Sequence, residues 1–221
     1  MTKDDYVLTL YRIPGKFAEA KQQKTAASQK PAVLMLHSQD WDMTQWVSND
    51  ADKANAFILA EAGYDVWMGN NRGSTFSRGH TKYTRDDFEF WQFYQYEMGT
   101  IDVPTFIDFI IEKTGLPSIS YVGHSEGTTQ MFMGLSSMPD YFKKNVNLFV
   151  AMAPPVYIGS ITDTRTLWEA SHWKLIQDAV EKLHFYNVIA FTPETHADLV
   201  EFCNLVPQVC EHLADIDFLL P

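Results

Sequence analysis

Gly123-His124-Ser125-Glu126-Gly127 sets a serine between two glycines in the pattern Gly-x-Ser-x-Gly. A serine hydroxyl attacks an ester carbonyl only when the backbone holds its Oγ outward, a base takes its proton and N–H donors meet the developing oxyanion. A segment read as a buried strand, 118–122, precedes the pentapeptide and a helical segment, 127–138, follows it. That context is a sharp strand-to-helix turn with Ser125 as its nucleophile. In such a turn Gly123 and Gly127 leave room for crowded backbone, and His124 packs beside it. The start of the helix adds N–H groups and a dipole that favour negative charge. The alternative is a serine that only caps a helix.

Two backbone N–H groups are expected to form the oxyanion hole, one after the nucleophile and one after an earlier strand. Glu126 and Gln39 occupy those positions, and His37 is expected to order the loop that carries Gln39. An ordinary polar loop over "HSQDW" is the alternative.

In this arrangement the acid and the histidine follow the serine in chain order. Within the chain, Glu194 or Asp198 after the run "NVIAF" (187–191), and then His212, have that order. No further strand separates the acid from His212, and His196 and His212 fit helical surface positions equally well. His80 ends the loop 70–80. Ligands at metal-binding spacing are lacking, so neither a metal nor a cofactor is expected. Cys203 and Cys210 would lie about 10 Å apart along an unbroken helix, beyond disulfide reach. Pro207 between them interrupts such a helix, which leaves a bridge open.

The elements that must position these residues follow from hydrophobic periodicity. Residues 4–13 alternate apolar and polar, as a half-buried strand does, and 16–30 form a polar connection. The run 32–38 is continuously apolar, the pattern of a strand buried on both faces of a parallel sheet; 64–70 and 147–154 read as further buried strands and 118–122 as a strand. Helices are expected over 51–63, closed by Gly63, and over 102–114, with Pro104 in the first turn and Gly115 past the end. Strands alternating with helices give an α/β fold with a mostly parallel sheet flanked by helices. Beyond Pro155 the pattern changes to amphipathic helices such as "TLWEASHWKLIQDAVEKL".

Composition narrows the function. The 221 residues are 46% apolar and 20% charged, ordinary for one globular domain, and the 14% aromatic content fits a large core or an apolar binding face. A net charge of −11 with scattered Lys and Arg argues against nucleic acid. The first residues lack the basic and apolar blocks of a signal peptide, and no run of apolar residues is long enough to cross a membrane.

The stretches "DDYVLTLYRIP", "ILAEAGYDVWMGNNRGSTFSRGH", "FEFWQFYQYEMGTIDVPTFIDFIIEKTG", "YVGHSEGTTQ" and "AMAPP" resemble the acid lipase family of α/β-hydrolases, which includes gastric and lysosomal acid lipases. The resemblance implies hydrolysis of neutral lipid esters, triacylglycerols or sterol esters, through a Ser125 acyl-enzyme under a helical lid. It also implies an α/β-hydrolase core over residues 1–155 and a lid or cap over 156–221, with the last sheet strands and the triad Asp and His outside the chain. An open sheet edge would then await a protein partner. Family members are secreted or lysosomal.

Two positions depart from the family pattern. Ser38 replaces a glycine beside His37, which would strain the loop if that position needed positive φ. Glu126 replaces a glutamine, and its carboxylate opposes a developing oxyanion unless it turns away or is protonated. Beside the lipid ester hydrolase stand two alternatives: a noncatalytic lipase-like subunit or assembly module, and an esterase or thioesterase completed by His212.

Overall fold

The structure, a computed structural model, describes residues 1–16, 30–39 and 41–182 together with 200, 203, 204 and 207. These residues fall into two compact units, one of 1–84 with 92–156 and one of 85–91 with 157–221.

The first unit is built on a five-stranded sheet. Its strands are β2 (Leu10–Ile13), β3 (Ala32–Leu36), β4 (Asp65–Gly69), β6 (Ile119–His124) and β7 (Val146–Met152), in the order β2-β4-β3-β6-β7. β2 runs antiparallel to β4, and the other pairings are parallel. β1 (Tyr6–Val7) and β5 (Gly79–His80) form a separate antiparallel ribbon.

The fully apolar β3 buries side chains on both faces, as its sequence requires. On one face Leu34 and Leu36 join Ile119, Tyr121, Phe106, Ile107 and Ile110. On the other, Val33 and Met35 join Val66, Met68, Trp46, Ala56 and Ala60. The helices supplying these partners are α1 (Asn55–Glu61) and α2 (Val103–Thr114), with Ala56 and Ala60 one turn apart on α1. Pro104 lies in the first turn of α2, and Gly115 closes it at φ 71° in the left-handed conformation.

Several boundaries differ from the sequence expectation. Residues 4–13 form two strands, because the chain changes partners: Tyr6–Val7 pairs with β5 and Leu10–Ile13 with β4. Between them Thr9 turns to the 76–77 loop, donating from Oγ1 to the Phe76 carbonyl at 2.5 Å and from its N–H to Ser77 Oγ at 2.9 Å. α1 is shorter than the expected 51–63, and a π-helical turn, Met98–Asp102, precedes α2. β7 is not buried on both faces: it stands at the sheet's edge, with Leu148 55% and Val150 40% exposed.

Helices α3 (Glu126–Ser137) and α4 (Pro139–Asn145) complete this unit. The described part of the second unit contains the 3-10 turn Phe88–Trp91 and the long helix α5 (Thr164–Lys182). Asp163 starts α5 by accepting the Thr166 N–H at 2.8 Å. The run 187–191 lies outside the described residues.

Candidate active site

At the C-terminal end of β6 the chain turns within one residue into α3. Ser125 occupies that turn at φ 49° and ψ −112°, a conformation costing roughly 1–3 kcal/mol for a residue with a Cβ. Its N–H donates to the Met152 carbonyl at the end of β7, at 2.9 Å. Its carbonyl accepts the Thr128 N–H at 2.9 Å and the Thr128 hydroxyl at 2.6 Å. The backbone of Ser125 is thus tied from both sides. Its Oγ makes no hydrogen bond among the described residues.

The flanking glycines are sterically required. A Cβ on Gly123 would lie 2.7 Å from the Gly127 carbonyl, and one on Gly127 would lie 2.6 Å from the Leu36 carbonyl. Each clash is with backbone, which cannot swing aside. The Gly127 carbonyl also accepts the buried Tyr121 hydroxyl at 2.7 Å, and burial, with the charge of Glu126 adding to it, pushes that phenol well above its usual range. The close approach at Gly127 brings the end of β3 against the start of α3.

The loop after β3 is held by side chains. Ser38 does not have positive φ, so the condition under which it would strain the loop is not met. Its N–H donates to Gln45 Oε1 at 2.9 Å, and its carbonyl is 2.8 Å from His37 Nδ1. The Asn71 N–H donates to His37 Nε2 at 3.1 Å, which makes Nδ1 the protonated nitrogen of a neutral ring. Burial lowers the His37 pKa and favours that neutral form. Gln45 Nε2 lies 2.7 Å from His124 Nδ1. Gln39 follows Ser38, exposed.

Glu126 follows Ser125 as the first residue of α3. Its carboxylate accepts from Asn71 Nδ2 and Gln95 Nε2, both at 3.3 Å. These two amides give the negative charge partners of its own. Behind Asn71, Arg72 is buried and forks onto two carboxylates: Nε reaches Asp102 at 2.8 Å and Nη1 reaches Asp4 at 2.7 Å. The guanidinium also lies 4.0 Å from the Tyr6 ring centroid. Burial pushes the Asp102 carboxyl up to about 6 while Arg72 pulls the other way. For Asp4, burial raises the pKa, but hydrogen bonds from Arg72 and Thr2 leave it below the usual carboxylate range.

Ser125, Gly123, His124, Gly127, Glu126 and the Gln39 loop therefore come together at one end of the sheet. His80 does not join them: it lies in the β1–β5 ribbon opposite Tyr6, and its Nδ1 accepts the Lys82 and Tyr83 N–H groups, each at 3.1 Å. Glu194, His196, Asp198, Cys210 and His212 lie outside the described residues, while Cys203 is disulfide-bonded. Gln45, Asn71 and Gln95 were not singled out from the sequence, since no spacing rule marks an amide that acts through space. Among the described residues no cluster of His, Cys, Asp or Glu could hold a metal ion.

Residues 23–177 match the α/β hydrolase fold family. Mouse gastric triacylglycerol lipase is 44% identical over 154 residues, covering 70% of this chain and 38% of that protein. The chain belongs to the acid lipase family of the α/β-hydrolase superfamily. Lysosomal acid lipase/cholesteryl ester hydrolase of Macaca fascicularis is 38% identical over 216 residues, 95% of this chain and 53% of that one. The chain thus spans about half, or less, of the length of these relatives. Its fold is shared with a carboxylesterase from Nitrososphaera gargenis, at TM-score 0.51 and 11% identity, over 80% of this chain and 51% of that structure.

Proposed function

We propose that the protein hydrolyses lipid esters of the triacylglycerol or sterol ester class by acyl transfer through Ser125. The observation that carries this reading is the strained Ser125 backbone between two glycines that tolerate no side chain. Strain that persists in a well-tied turn is a mark of function, because the fold holds it in place. The names of the relatives, gastric triacylglycerol lipase and lysosomal acid lipase/cholesteryl ester hydrolase, support the substrate class.

In the proposed reaction Ser125 Oγ adds to the ester carbonyl as its proton passes to a base. The oxyanion accepts from the backbone N–H groups of Gln39 and Glu126. The tetrahedral species then expels the alcohol, which takes up the proton, and water releases the fatty acid from the acyl-enzyme by the same steps. The base and its acid are assigned to residues outside the described ones. Residues 156–221 are assigned the role of lid, supported by the exposed Tyr157, Ile158, Trp173 and Leu175. The outer edge of β7 is assigned to a covering polypeptide, supported by its exposed Leu148 and Val150.

The test is labelling with a fluorophosphonate, which reacts only with an activated serine. Labelling of the protein that disappears in Ser125→Ala, with the fold intact by circular dichroism, is the expected result. Equal labelling of both proteins would overturn the assignment of Ser125.

A further inference from the structure

We propose that Gln45 is a positioning residue that sets the direction of the Gln39 N–H by clamping the loop after β3 to the nucleophile strand. This inference rests on the reading of Ser125 and Gln39 given above.

Gln45 sits in a 3-10 turn, Met43–Trp46, that is anchored at three points. Asp42 caps the turn by accepting the Thr44 N–H at 2.8 Å and its hydroxyl at 2.6 Å. The Met43 N–H donates to Asn70 Oδ1 at 3.0 Å, and Trp46 is buried in the core. The turn is a fixed platform for the Gln45 side chain.

The two ends of the Gln45 amide are not interchangeable. Ser38 is 7% exposed, and its backbone N–H can only donate, so the oxygen of Gln45 must face it. The Ser38 hydroxyl adds a second contact to that oxygen at 3.2 Å. The Gln45 NH2 is thereby turned to His124 Nδ1, 2.7 Å away, and a donor there requires Nδ1 to accept. The His124 proton is therefore on Nε2. One amide reads two groups: the peptide that leads into Ser38, the residue before Gln39, and the residue immediately before Ser125.

The effect on the Gln39 N–H follows from peptide planarity. The bond from Ser38 to Gln39 is trans, so its N–H points opposite to the Ser38 carbonyl. That carbonyl is held by His37 Nδ1–H, and the Ser38 N–H is held by Gln45. With both sides of Ser38 tied, the Gln39 N–H has one direction. Losing Gln45 frees one side, and a misplacement on the order of 1 Å in such a site costs about 100-fold in rate.

The experiment compares the wild-type protein, Gln45→Leu and Gln45→Glu. It combines the rate of fluorophosphonate labelling with nitrogen-15 spectra of the histidine rings and amide exchange at Ser38. Gln45→Leu is expected to slow labelling by about 10- to 100-fold and to lose Ser38 protection, because no acceptor remains. In wild type the His124 proton is expected on Nε2. In Gln45→Glu it is expected on Nδ1, since a carboxylate can only accept.

A Gln45→Leu protein that labels at the wild-type rate would overturn the positioning role, even if its thermal midpoint fell. A wild-type His124 with its proton on Nδ1 would overturn the clamp outright. If wild type itself is not labelled, the Ser125 reading fails by that measurement. The clamp is then decided by the spectra and exchange, with unchanged Ser38 protection in Gln45→Leu overturning it.

Discussion

The Ser125 turn and the loop after β3 face each other at one end of the sheet, and they are held by opposite means. Ser125 has a strained backbone at φ 49°, and every bond that fixes it is made by backbone or by Thr128 three residues away. The Ser38–Gln39 loop has no strained residue, and its bonds come from the side chains of His37 and Gln45. A turn held by sterics tolerates no added atom, whereas a loop held by side chains tolerates new backbone freedom but not the loss of a partner. Substitutions at the two should therefore fail differently.

The largest effect is expected where the two regions meet. In Gly127→Ala the new Cβ would sit 2.6 Å from the Leu36 carbonyl and 3.1 Å from that of His37. A loss of about 3 kcal/mol in chemical denaturation, with labelling abolished, is the expected outcome. A protein of unchanged stability would mean that the turn is looser than its geometry.

The support behind the loop can be tested by pH. The folded Asp102 pKa of about 6 is above the unfolded value of 3.8, so the folded protein binds more protons between them. Its contribution is complete below the lower value and is lost as pH rises through about 6. Asp4, whose pKa is lowered, acts the other way, losing its contribution as pH falls below its usual range. Denaturation midpoints should therefore rise between pH 7 and pH 5, and Asp102→Asn should flatten that rise. An identical slope in the variant would show that Asp102 is ionised throughout.

Smaller effects should separate the two backbones most cleanly. Ser125→Gly removes the Cβ that makes φ 49° costly, and should stabilise by about 1 kcal/mol while abolishing labelling. Ser38→Gly relieves nothing, because Ser38 has no positive φ, and should destabilise by roughly 0.5–1 kcal/mol through added chain freedom. Stabilisation by Ser38→Gly would reverse the comparison.

How far each region could be anticipated follows the same division. Gly123, Ser125 and Gly127 announce a strand-to-helix turn because the constraint operates within five residues, and the structure has that turn where the pattern sets it. The parallel sheet was legible as well, since β3 is apolar on both faces and β4 is so after Asp65. β7 misled for a physical reason: an edge strand and a central strand can carry the same apolar residues, and only the presence of a neighbour distinguishes them. Strain at Ser38 depends on φ, which a residue type does not reveal.

From the chain alone came the α/β architecture and the serine at the turn, which rest on hydrophobic periodicity and short-range sterics, and the family resemblance, which rests on whole stretches of residues such as "YVGHSEGTTQ". The partners that hold the loop and the Glu126 carboxylate emerged only on folding. Gln45 and His124 are 79 residues apart, Asn71 and Glu126 are 55 apart, and Asn71 and His37 are 34 apart. A hydrogen bond between side chains is set by distance in space, and no local pattern of residue types records which distant amide will arrive.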